Sequence, residues 1–129
     1  MVGDLFHAGH VALLRSAREF GDEVIVGVLS DDSTAAYKRV PIMTLSERTT
    51  VIAACRYVDE VVEDAPSVLT AEFLAEHRIS FVVHGDDTAP SVLAEVYGPA
   101  IERGMLRLVP YTAGVSTTDL IARVLGSDR

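Results

Sequence analysis

With 129 residues, 49% of them hydrophobic and 23% charged, the chain has the length and balance of one soluble domain with one sizeable core. A formal net charge of −8 argues against nonspecific nucleic-acid binding, which draws most of its affinity from a basic surface. No apolar run is long enough to span a bilayer, the longest being Val24 to Leu29, and no secretion signal opens the chain. The lone Cys55 allows no internal disulfide and fits a reducing cytoplasm.

The first feature is "DLFHAGH", residues 4 to 10, which sets Asp4, His7, Gly9 and His10 at the start of a predicted helix. That helix covers 8–21, with Val11, Leu14 and Ala17 at helical spacing and Gly21 as its stop. "EVIVGVL" (23–29) is apolar without strict alternation, as in a strand buried on both faces. A helix over 45–55 follows, with Ser46 as its expected N-cap, then a short strand in 57–63. The remaining pattern predicts a helix over 67–77, a strand over 79–85, a helix over 89–104 broken near Pro99, and a strand over 106–111. A helix over 116–126 closes the series, capped by Ser116 and stopped by Gly126, and the tail "GSDR" reads as a frayed terminus or the start of a linker.

Strand and helix alternating along the whole chain predict an α/β fold, a doubly wound parallel sheet with helices on both faces and right-handed crossovers. No repeat, low-complexity tract or composition shift divides the chain, so residues 1–129 read as a single domain. A doubly wound nucleotide-binding fold normally places a strand before its first helix. Only Met1 to Gly3 precede Asp4, so the first strand is read as truncated.

His7 and His10 admit three readings from the residues alone. With Asp4 they could hold a divalent metal, although no further cysteine or histidine cluster completes a zinc set. They could be satisfied polar groups at a helix start. Or they could bind phosphate, since a helix N-terminus offers free N–H groups and partial positive charge, and Gly9 lets the backbone come close.

"DLFHAGH" resembles the H-x-G-H signature of the nucleotidyltransferase superfamily. "PIMTLSERT" (41–49), "CRYVDEVVEDAP" (55–66), "VVHGDD" (82–87) and "GVSTTDLIARVL" (114–125) are similar, in order, to signatures of its cytidylyltransferase branch. The likeness extends over nearly the whole chain and is nearest to ethanolamine-phosphate cytidylyltransferases, with glycerol-3-phosphate cytidylyltransferases next. It implies a Rossmann-like fold and transfer of CMP from CTP to a small phosphorylated acceptor, with release of pyrophosphate. On that footing His7 and His10 donate to the triphosphate, and Lys38 reaches the phosphates from the loop after the "EVIVGVL" strand. Asp4 lies near the phosphates and helps place Mg²⁺. Gly9, Arg48, Arg56, Asp86, Ser116, Thr117 and Thr118 complete the implied nucleotide site, with Asp87 assisting and His84 available to the acceptor. The resemblance further implies a homodimer, with "RYVDEV" and a partly buried Arg56 near its interface, and no nucleic-acid or membrane partner.

Two departures stand out. The strand that usually precedes the aspartate is missing, and Tyr111 stands where the family carries an arginine. A phenol cannot supply a permanent charge or a planar fork, so phosphate binding is weaker or the acceptor differs. Phosphonate antibiotic pathways use similar modules, sometimes fused to a second catalytic domain. On that ground 2-hydroxyethylphosphonate is the favoured acceptor, with phosphoethanolamine or glycerol 3-phosphate as the alternative. A CTP-binding regulatory domain without turnover is the alternative of another class.

Overall fold

In the computed structural model, which describes residues 1–126, four parallel strands form two separate pairs. Most of the tail "GSDR" lies outside the described residues. The elements run α1 (Ala8–Ala17), a 3₁₀ turn (Arg18–Phe20), β1 (Ile25–Val28), α2 (Asp31–Ala35), α3 (Leu45–Ala53), β2 (Glu60–Glu63), α4 (Ala71–Glu76), β3 (Val82–Gly85), α5 (Pro90–Glu102), β4 (Leu106–Val109) and α6 (Thr117–Leu125). β1 pairs with β2 in the register Val26 to Val61, and β3 with β4 in the register His84 to Leu108.

All four expected strands form, shorter than their apolar runs. The sheet itself is not continuous. Met1 also pairs with β1: the Met1 amine donates to the Gly27 carbonyl at 2.5 Å, and the Leu29 N–H donates to the Met1 carbonyl at 3.1 Å. That is the parallel ladder pattern across one residue. The second pair has no such cover, and every residue of β3 is only half-buried.

The main core cluster sits in the first half, where Leu14, Val24, Val26, Val28 and Ile52 pack together with Phe6, Ala17 and Val61 against them, while Leu74, Leu93, Ala100 and Val109 are buried in the second half. Contacts from α1 and the turn after it help join the halves. α1 packs on β3 while giving Leu14 to the core, and the Phe20 and Phe81 rings lie 6.2 Å apart.

Three helix N-termini differ from the expectation. α3 begins at Leu45, as its range predicts, but is capped by Thr44, not Ser46; Thr44 Oγ1 accepts the Glu47 N–H and Glu47 Oε1 accepts the Thr44 N–H. α4 starts only at Ala71, where Thr70 supplies the cap. α2 was not expected; Ser30 caps it, and Asp31 and Asp32 suit the positive end of its dipole. α5 opens on Pro90 and kinks at Tyr97, whose backbone is non-helical just before Pro99.

Candidate active site

Residues 1–3 run parallel to β1, so Asp4 and the start of α1 emerge at the carboxyl ends of the strands, where open α/β folds place ligands. The turn is tight. Gly3 adopts φ +68° and Leu5 φ +47°, and a Cβ on Gly3 would fall 2.6 Å from Ile52 Cδ1. Two left-handed residues therefore flank Asp4, and the carboxylate is buried.

His7 is itself the N-cap of α1. Its Nδ1 accepts the Gly9 N–H at 3.0 Å, and His10 Nδ1 accepts the His7 N–H at 3.0 Å. A nitrogen that accepts a backbone N–H carries no proton of its own. Both neutral rings are thus held as the Nε2–H tautomer, each with one outward donor. Burial lowers the His7 pKa. The His10 pKa falls to about 4, through burial first and then the neighbouring His7, Met1 amine and Lys38 charges, with Asp4 opposing them. The pair is neutral at pH 7. Stacking of His10 on Phe6, at 5.3 Å and 8°, fixes the ring plane. Gly9 serves this arrangement directly, because a Cβ there would lie 2.9 Å from His7 Cε1.

A second helix start meets the first. Ser116 caps α6 by accepting the Asp119 N–H, and Thr117 Oγ1 donates to the Asp4 carbonyl at 3.0 Å. The same hydroxyl lies 3.5 Å from His7 Nε2, so its lone pair faces that donor. Thr118 is exposed beside it. Lys38, exposed on the loop between α2 and α3, is close enough for its charge to depress the His10 pKa.

Other expected residues are placed differently. Arg48 is fully buried and gives its N–H groups to the Met43, Val2 and Leu29 carbonyls and to Asp31 Oδ1, the last at 2.6 Å. None of those bonds faces a phosphate site. Arg56 is exposed, not partly buried, and precedes β2 at its amino end, away from the histidines. Asp86 is exposed at the end of β3 and accepts the Tyr111 N–H at 2.9 Å, tying together the segments that follow β3 and β4. Asp87 packs its carboxylate against Gly85.

Asp4 does not fit a magnesium site. Its Oδ2 accepts the Ile42 N–H and its Oδ1 the Met43 N–H, both at 2.9 Å, and only 3% of the residue is exposed. Mg²⁺ keeps several waters and needs an open carboxylate face. Among the described residues no group of three histidine, cysteine or acidic side chains could hold a metal ion.

Sequence reasoning missed Tyr97. At the α5 kink its ring lies 5.2 Å from His84, and burial, helped by nearby Tyr37, raises its pKa. The only sequence signal was "YGP", a breaker following an aromatic residue.

The family model for cytidylyltransferase-like proteins matches residues 4–123, from Asp4 into α6. The chain belongs to the cytidylyltransferase-like family. It is 40% identical over 129 residues to ethanolamine-phosphate cytidylyltransferase of Arabidopsis thaliana, the match covering 95% of this chain and 30% of that protein. It is 45% identical over 125 residues to human choline-phosphate cytidylyltransferase A, and 42% over 123 residues to ethanolamine-phosphate cytidylyltransferase of Dictyostelium discoideum; each match covers 95% of this chain and 34% of the relative. The chain thus spans about a third of the length of these relatives. Among solved structures, the lipopolysaccharide core biosynthesis protein of Thermoplasma volcanium superposes with a TM-score of 0.70 at 22% identity, covering 89% of this chain and 93% of that one. That likeness bears on the fold, a mixed α/β arrangement of parallel strands and helices. Among the described residues of this family member, no helix is long and apolar enough to cross a membrane.

Proposed function

We propose that the chain transfers a cytidylyl group from CTP to a phosphate monoester that carries a small cation, with phosphoethanolamine as the first choice. The observation that carries this reading is the junction of two helix N-termini through the His7–Thr117–Asp4 contacts, beside the neutral His7 and His10 pair. Helix starts favour phosphate oxygens, and preorganised Nε2–H donors need no proton transfer to act.

In the reaction a phosphate oxygen of the acceptor attacks the α-phosphorus of CTP. The bond to the bridging oxygen of the β-phosphate breaks, pyrophosphate leaves, and a new P–O–P linkage forms. The attacking oxygen already carries its electron pair, so no base is required. The protein's part is positioning and neutralisation of charge. His7 and His10 donate where charge builds on the phosphates, Lys38 adds a mobile cation, and the Ser116–Thr118 end of α6 binds a further phosphate. Mg²⁺ arrives on the triphosphate as part of the substrate. Arg56, remote in its own chain, is assigned to a second copy's interface.

The names of the relatives favour an aminoalcohol phosphate and lend no support to 2-hydroxyethylphosphonate, which this reading replaces as the favoured acceptor. The residues beyond β3 agree. His84 Nδ1 lies 2.8 Å from the Gly85 carbonyl, so that nitrogen donates and Nε2 is left as an acceptor. With the Tyr97 ring and the exposed Asp86 carboxylate it suits an ammonium. A primary ammonium can donate to Nε2, whereas a trimethylammonium cannot, which favours ethanolamine over choline.

The test is pyrophosphate release from Mg·CTP with phosphoethanolamine, phosphocholine, glycerol 3-phosphate and 2-hydroxyethylphosphonate in parallel. The highest kcat/KM belongs to phosphoethanolamine. Preference for the phosphonate would overturn the acceptor assignment, and CTP binding with no release from any acceptor would make this a regulatory domain.

A further inference from the structure

The geometry points to Asp4 and Arg48 as positioning residues that clamp the loop between α2 and α3, the loop that carries Lys38. This rests on the proposed role of Lys38 toward CTP.

The two side chains grip the same residue, Met43, through its two flanking peptide groups. Asp4 Oδ1 accepts the Met43 N–H at 2.9 Å, while Arg48 Nε donates to the Met43 carbonyl at 3.1 Å. Asp4 Oδ2 takes the adjacent Ile42 N–H as well. Arg48 Nη1 then returns to the Val2 carbonyl at 2.8 Å, two residues before Asp4, which closes a ring through the backbone. Its remaining bonds, to the Leu29 carbonyl and Asp31, anchor that ring to the end of β1 and the start of α2.

Apolar packing of the loop is limited: Val40 and Ile42 are exposed by 71% and 58%, and only Pro41 between them is buried. Lys38 is joined to Thr34 by a backbone bond at one end of the loop, and the clamp supplies the other end. The left-handed pair Gly3 and Leu5, of which Leu5 is strained, turns the Asp4 carboxylate toward the loop. Strain at a functional turn persists only when surrounding contacts over-determine it, and here the Asp4 bonds do so. Neither side chain has a free polar group for nucleotide or metal: Asp4 is 3% and Arg48 0% exposed.

Three measurements test the clamp. In the unmodified chain, amide hydrogen exchange at Ile42 and Met43 is slowed about tenfold or more relative to Val40, despite their place in an exposed loop. Equal, fast exchange at all three would overturn the proposal without any variant having to fold, and whether or not CTP binds. Asp4→Asn, which keeps one acceptor oxygen, removes that protection at one of the two amides while leaving Val26 and Val28 slow. It also weakens Mg·CTP binding roughly fivefold, and Lys38→Ala abolishes that effect, as expected for residues acting in one chain of contacts. The Mg²⁺ concentration giving half-maximal CTP binding stays unchanged in Asp4→Asn. A shift of that midpoint would make Asp4 a metal ligand, and an undiminished loss in the Lys38→Ala background would show that the clamp does not act through Lys38. Failure of the unmodified chain to bind CTP would refute the functional reading alone, because the exchange measurement still decides the clamp.

Discussion

His10 is the residue whose chemistry is most constrained by its surroundings. Its Nδ1 is committed to the His7 N–H, so protonation there breaks a buried hydrogen bond as well as placing a charge near Lys38. The unfolded chain takes up this proton near pH 6.5, the folded one only near pH 4. Stability from this group is therefore complete above pH 6.5 and is lost as pH falls toward 4, with a total on the order of 3 kcal/mol. Urea denaturation of the unmodified chain and of His10→Asn checks it: the unmodified chain loses more stability between pH 7 and pH 4.5. Equal losses would contradict the assignment. In catalysis, His10→Ala lowers kcat by about a hundredfold with little change in KM for CTP, because a neutral donor aimed at developing charge acts in the transition state. Gly9→Ala breaks the same device sterically, pressing on the His7 ring, and lowers kcat without removing a donor. Gly3→Ala is a stability variant instead; its left-handed backbone and the Ile52 contact cost about 2 kcal/mol or more, measurable as a fall in Tm.

At the scale of elements, Arg48 ties α3 to everything around it. Replacement by Met leaves the Val2, Leu29 and Met43 carbonyls without their donor and costs about 3 kcal/mol or more, read as a lower urea midpoint. The strands and most helices were legible because apolar runs and punctuating residues mark them. α2 was not, since its "DDSTA" has no apolar face to give a period; only Ser30 and the two following acids signal it. The cap of α3 reads as Ser46, whereas "TLSE" contains the fuller capping box of Thr44 and Glu47. In the site, the meeting of His7 and His10 was legible from a spacing of three at a helix start. The turning of Asp4 onto Ile42 and Met43 was not, because a carboxylate that binds backbone N–H groups requires no particular partner side chain. For the same reason Arg48, three of whose four partners are carbonyls, reads in sequence like any motif arginine.

The whole molecule is two unequal halves held by α1. Buried residues of β1 lie in the core, whereas β3 is half-buried throughout. Amides of Val26 and Val28 thus exchange near the limit of global unfolding, and those of Val83 and Gly85 exchange sooner by local opening. Uniform exchange across both pairs would contradict that division. On the proposed reading, a chain of net charge −8 binds a polyanion by gathering helix starts, neutral donors and one loop lysine at the carboxyl ends of its strands. Raising the salt concentration weakens CTP binding in the unmodified chain and less so in Lys38→Ala, because one screened charge has been removed. The central claim, cytidylyl transfer to an amine-bearing phosphate, is tested most directly by ³¹P nuclear magnetic resonance of a mixture of chain, Mg·CTP and phosphoethanolamine. Paired phosphoanhydride signals of a CDP-linked ethanolamine, growing in step with pyrophosphate, are the predicted result. CTP that stays intact beside phosphoethanolamine, or pyrophosphate that forms with CMP alone, would contradict it.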